Sequence, residues 1–112
     1  MNVEQKELFL VPFPFSDLSG QKIRPVLILS KNEFNQNSED VIVCAITTNL
    51  TKEHYSIRLN PKDLEEGTLH KTSMIKVQTI FKIQKNLLLK KIGKLKKEPF
   101  TKVLEKFHTI FN

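Results

Sequence analysis

At 112 residues the chain has room for one hydrophobic core and is expected to form one domain over residues 1–112, with five prolines and three glycines that mark no linker, repeat or low-complexity tract. The polar residues 1–7 do not form a basic start with an apolar run behind it, and no segment approaches the length of a membrane span, so neither a signal peptide nor a membrane partner is expected. A lone cysteine, Cys44, excludes an internal disulfide, and a reducing cytoplasm is the expected compartment.

The net charge of +6 is unevenly spread. Residues 1–70 carry seven Lys/Arg against ten Asp/Glu, whereas residues 71–112 carry eleven Lys against two Glu. A basic second half suggests an acidic partner, either nucleic acid or an acidic protein segment. With sixteen lysines and two arginines, the chain uses lysine for generic positive charge. Arg24 is then a chemical choice, since guanidinium offers a rigid fork of donors matched to phosphate.

In chain order, residues 8–11 predict a short apolar strand, ended by Pro12, Phe13 and Pro14, which cannot continue inside a sheet. Phe13 and Phe15 flank Pro14 as an apolar corner before a polar loop over residues 16–22. Residues 23–29 predict a second strand, interrupted near its start by Arg24-Pro25, where proline gives up a ladder donor at least cost and holds Arg24 extended. Residues 41–48 predict a buried strand, apolar on both faces until Thr47 and Thr48. Residues 55–59 alternate as a half-buried strand, and residues 61–66 predict a turn or single helical turn closed by Gly67. Short strands follow over 74–77, 80–83 and 88–95, with a turn at 84–86. Phe100, Val103, Leu104, Phe107, Ile110 and Phe111 fall on one stripe of an amphipathic helix that packs on the sheet, with Pro99 near its start and Glu98 as a weak N-cap. With no helix expected between strands, the class is mainly β: a small, strongly bent sheet or partly open barrel with a C-terminal amphipathic helix.

Several chemistries are set aside by spacing. Glycines stand only at 20, 67 and 93, so no phosphate-cradling Gly-rich loop exists. His54, His70 and His108 lack ligand-like spacing, and neither a metal nor a cofactor is expected. Cys44 sits within an apolar strand and reads as an inert small hydrophobe.

An ordered set remains: Phe-Ser-Asp-Leu-Ser-Gly-Gln-Lys-Ile-Arg-Pro-Val-Leu at 15–27, Ala-Ile-Thr-Thr-Asn at 45–49, Thr-Ser-Met-Ile-Lys-Val at 72–77 and Ile-Phe-Lys-Ile-Gln-Lys at 80–85. This order resembles the MazF/PemK family of ribonuclease toxins from bacterial toxin–antitoxin pairs, from about residue 7 to the C-terminal helix. The resemblance implies an SH3-like small barrel, a homodimer, metal-free cleavage of single-stranded RNA and neutralisation by an acidic antitoxin protein. Carried over by motif, Arg24 and Thr47 are the implied catalytic pair, with Gln21, Thr48, Lys76 and Gln78 as weaker candidates for RNA contact. Thr48 faces away from Thr47 on an ideal strand and serves only if the strand has ended. The implied reaction is attack of a ribose 2′-OH on the adjacent phosphate, with Arg24 stabilising the phosphorane and the Thr47 hydroxyl bonding a non-bridging oxygen. It would yield a 2′,3′-cyclic phosphate and a 5′-hydroxyl and spare DNA.

The chain departs from the family at three places. The opening Gly-Asp is Lys6-Glu7 here, a common arginine is Lys76, and an aspartate carried by some members is Gln78. A carboxylate base at position 78 is therefore not offered, and Lys76 keeps charge without a bidentate grip. Two other readings stay open. One is a CcdB-like poison of DNA gyrase without catalysis, against which the lack of any tryptophan argues. The other is a catalytically silent nucleic-acid-binding barrel.

Overall fold

A computed structural model describes residues 2–14, 21–51 and 53–112. Among them, seven strands form one antiparallel sheet: β1 (Glu7–Pro14), β2 (Gln21–Ile28), β3 (Asp40–Thr47), β4 (Ser56–Leu59), β5 (Leu64–Gly67), β6 (Ser73–Gln84) and β7 (Lys90–Leu95). Their spatial order is β4-β6-β3-β2-β1-β7-β5, and the sheet curls into an open half-barrel. Helix α1 (Asn32–Gln36) lies between β2 and β3, and α2 (Lys97–His108) follows β7. The mainly β class with a C-terminal helix is therefore as expected.

The alternation of side chains along each strand gives the sheet two apolar faces. Leu8, Leu27, Cys44, Ile46, Ile75 and Val77 bury one face against Phe100 and Val103 of α2. Phe9, Val11, Val26, Ile28, Val41, Val43 and Ile83 bury the other, with Val3 and Leu88 added from outside the strands. Burial pushes the Cys44 thiol up to about 12, which keeps it protonated and inert as expected.

Four local expectations are corrected. First, β1 runs on through Pro12 and Pro14. The Leu10 carbonyl accepts from Leu89 N–H at 2.8 Å, so residues of the same parity turn their amides toward β7, whose pairing stops at Leu10↔Lys90. The prolines lie past that point and sacrifice no ladder bond to β2. Second, the separate strands over 74–77 and 80–83 are one strand, β6. Its pairing with β3 jumps from Cys44↔Ile80 to Ala45↔Lys76, so Val77, Gln78 and Thr79 bulge out of the ladder. Third, a helix does lie between strands. Five-residue α1 has no apolar stripe; it is fixed by buried Asn35, whose side chain bonds the Ser30 hydroxyl and donates to the Ser30 carbonyl at 2.9 Å. Fourth, the N-cap of α2 is Lys96, which places Glu98 and Pro99 in the first turn, where a carboxylate suits the helix dipole and a missing N–H is tolerated. Of the expected apolar stripe, Phe100, Val103 and Phe107 on α2 and Ile110 in the turn after it pack on the core, while Leu104 on α2 and Phe111 beyond its end stay exposed.

The remaining boundaries follow the expectations closely. The 61–66 segment forms a single 3-10 turn at Pro61–Asp63 and then enters β5, and the 84–86 turn is a 3-10 turn at Lys85–Leu87. Pro25 lies just before the first β2–β3 pair, Val26↔Ala45, so its missing donor falls outside that ladder. Phe13 packs edge-on against Phe81 at 5.2 Å, whereas Phe15 and most of the 16–22 loop lie outside the described residues.

At Lys6, where the family it resembles opens with glycine, φ is +81°, in the left-handed region. The strained backbone is held by Lys6 N–H donating to the Ile28 carbonyl at 3.0 Å and by Leu95 N–H donating to the Lys6 carbonyl at 2.8 Å. Glu7, buried beside it, receives Lys91 Nζ at 2.8 Å. Replacing Lys6 by glycine should relieve the strain and raise stability by about 0.5–1 kcal/mol net of the extra chain entropy. Thermal melts would check this; a lowered midpoint for Lys6→Gly would contradict it.

Candidate active site

Strand register assembles the site. Continuing the β2–β3 pairing two residues beyond Val26↔Ala45 brings Arg24 opposite Thr47. On the other side of β3, Ala45 pairs with Lys76 and Thr47 with Met74. Residues two apart share a face, so Arg24, Thr47 and Lys76 project to the same side of three neighbouring strands. They line one open cleft of about 250 Å³ together with Phe13, Ala45, Ile46 and Thr79. Arg24 and Lys76 are half-buried there.

Thr47 has a second, local role. Its Oγ1 accepts the Asn49 N–H at 3.1 Å, and the Asn49 side chain in turn accepts the Thr51 N–H at 3.0 Å. These side-chain turns end β3 at Thr47. The bond takes a lone pair of the hydroxyl, so its O–H remains chemically suited to donate to an incoming oxygen. Strand-end capping and ligand contact are thus compatible functions of one residue.

The weaker candidates separate. Lys76 joins Arg24 and Thr47. Gln78 is exposed in the β6 bulge beside the cleft, where Nε2 donates to Glu53 Oε2 at 3.1 Å. Thr48 follows the end of β3, so strand alternation no longer fixes its direction, yet it lines a different cleft with Pro25, His70 and Lys71. Gln21 opens β2 opposite Pro14, and its side chain lies outside the described residues.

Three residues escaped the sequence reading. Phe13 and Thr79 line the cleft, and Glu53 reaches its edge, with Oε1 3.4 Å from Lys76 Nζ. The polar pair Gln78-Thr79 between two apolar runs was the available signal for the bulge that presents Thr79. Nothing in residues 50–55 signalled that a carboxylate would arrive at Lys76. Among the described residues, no group of three His, Cys, Asp or Glu side chains could hold a metal ion, and no helix is long and apolar enough to cross a membrane.

The arrangement sets a guanidinium, a hydroxyl and an ammonium around an open, partly apolar cleft. That donor set can bind an anion and stabilise added negative charge on it. Comparison with known proteins agrees on the family. The family model described as "PemK-like, MazF-like toxin of type II toxin-antitoxin system" matches residues 4–111. The fold is similar to Mycobacterium tuberculosis toxin MazF-mt6, at 21% identity with a TM-score of 0.76, covering 94% of this chain and 95% of that one. It is similar to the MazE-MazF crystal structure from Deinococcus radiodurans, at 14% identity and a TM-score of 0.80, covering 98% and 96%. An endoribonuclease in complex with its cognate antitoxin, from a mycobacterial species, aligns at 20% identity and a TM-score of 0.76, covering 96% and 92%. No curated protein sequence matches significantly.

Proposed function

The chain belongs to the PemK-like, MazF-like toxins of type II toxin–antitoxin systems, and from that membership we propose that it is an endoribonuclease that cuts single-stranded RNA without a metal ion. The observation that carries the reading is the convergence of Arg24, Thr47 and Lys76 on one cleft from adjacent strands.

In this reading a phosphodiester enters the cleft. The 2′-OH oxygen on its 5′ side attacks phosphorus, the P–O5′ bond breaks, the 2′ proton passes to water and the departing 5′ oxygen takes a proton from water. Negative charge grows on the non-bridging oxygens as the phosphorane forms. The Arg24 guanidinium meets that charge, and the Thr47 hydroxyl donates to one of the same oxygens. A guanidinium is a poor base, so Arg24 serves as an electrostatic group rather than as the proton acceptor. Lys76 contributes a point charge to the strand. The products are a 2′,3′-cyclic phosphate and a 5′-hydroxyl, and the result in the cytoplasm is loss of mRNA and arrested growth.

The same reading includes a homodimer and an acidic antitoxin whose apolar-studded segment lies across the RNA groove near Arg24 and Lys76. The basic second half favours either polyanion, so RNA and antitoxin compete. The reaction itself is tested by incubating the protein with mixed single-stranded RNA in excess EDTA. Cleavage should proceed undiminished. Activity that vanishes in EDTA and returns with magnesium would remove the metal-free reading.

A further inference from the structure

We propose that Glu53 is an internal competitor for RNA: its carboxylate occupies Lys76 and Gln78 in the free protein, and a backbone phosphate of the substrate displaces it. The inference rests on the RNA-cleaving reading above and adds to it a chain-specific control of substrate entry.

Both carboxylate oxygens are engaged. Oε1 lies 3.4 Å from Lys76 Nζ and Oε2 accepts from Gln78 Nε2 at 3.1 Å. Two oxygens shared between an ammonium and an amide is also how the two non-bridging oxygens of a phosphodiester would be held. Lys76 lines the cleft with Arg24 and Thr47, and Gln78 lies two residues on in the β6 bulge. A strand leaving the Arg24–Thr47 centre toward β6 therefore meets this pair next.

The backbone that carries Glu53 is pinned. Ser56 N–H donates to the Glu53 carbonyl at 3.2 Å, and Val77 N–H donates to the Tyr55 carbonyl at 3.3 Å, tying the turn to β6. Displacement thus needs only rotation of the glutamate side chain. Magnitude decides whether the contact acts as a lock or as a latch. The Lys76 and Glu53 side chains are 31% and 44% exposed, and pairs this open are weak enough to be exchanged. A phosphate at the same place brings the rest of an oligonucleotide with it, so it wins by multivalent contact.

The experiment measures binding of an uncleavable, fluorescently labelled 2′-O-methyl single-stranded oligonucleotide by anisotropy over a range of salt. The variants are wild type, Glu53→Gln, Lys76→Ala and the double variant. Glu53→Gln should bind roughly two- to fivefold tighter, the range set by an exposed pair. Its log–log salt slope should steepen by up to about 0.7, because Lys76 then exchanges a solution anion rather than its own carboxylate. In the Lys76→Ala background, Glu53→Gln should change little. Equal affinity of Glu53→Gln and wild type, or an equal gain in both backgrounds, would overturn the latch while leaving the RNA reading intact. Absence of binding by every protein would overturn the RNA reading, and the latch with it.

Discussion

Arg24→Ala is expected to lower the rate of RNA cleavage on the order of a hundredfold or more, the loss that follows removal of one donor aimed at developing negative charge. Thermal stability should stay close to wild type, because Arg24 sits half-buried at a cleft wall rather than in either apolar cluster. Arg24→Lys should lose less, since it keeps the charge and surrenders only the planar fork. The comparison of the two separates electrostatics from geometry. If Arg24→Ala lowers the melting temperature steeply, the side chain is chiefly structural; if it cleaves RNA at the wild-type rate, the cleft is not the catalytic centre.

The second large effect is on folding. Gly67 has φ +84° and pairs with Gly93 at the edge where β5 meets β7. A Cβ added at Gly67 would lie 2.2 Å from the Ile92 carbonyl oxygen and 2.6 Å from Gly93 Cα, both backbone atoms. Neither can move aside without opening the β5–β7 ladder. Gly67→Ala therefore carries about 1–3 kcal/mol from the unfavourable φ alone, before the clash is added. At about 4–8 °C per kcal/mol for a small domain, the melting temperature should fall by roughly 10 °C or more. A melt that overlays the wild type would contradict the packing described here. Because β5 lies at the far edge from the Arg24 cleft, the folded fraction of Gly67→Ala should still cleave RNA.

The candidate site residues are more legible in the sequence than the frame that gathers them. Arg24 and Thr47 stand in motifs, and both proved to lie on strands whose register sets them opposite one another. That Lys76 joins them depends on β6 pairing with β3 across a three-residue bulge, a long-range choice that local periodicity does not encode. Helix α1 leaves no local pattern for a related reason: distant segments hold it, with Asn35 Nδ2 donating to the Val3 carbonyl at 3.4 Å and the Asn35 carbonyl accepting from Lys85 Nζ at 2.6 Å, and it has no apolar stripe. The rule that makes Pro12 and Pro14 strand breakers holds for strands paired on both sides, and here β1 has lost β7 before it reaches them. Leu104 and Phe111 fit the helical stripe but remain exposed, since periodicity states which residues share a face and not how much of that face is covered. Glu53 was missed altogether, because a carboxylate brought 23 positions along the chain to Lys76 leaves no local pattern.

The central claim is that the cleft promotes attack by a ribose 2′-OH, and the ends of the products report on it most directly. A single-stranded RNA is cleaved, the cut bond is mapped, and the strand is made again with one 2′-deoxy nucleotide on the 5′ side of that bond. Cleavage of the all-ribose strand should leave a 2′,3′-cyclic phosphate and a 5′-hydroxyl, and the substituted strand should stay intact at that bond. Cutting of the substituted strand at the same bond, or 5′-phosphate ends on the ribose product, would contradict the account.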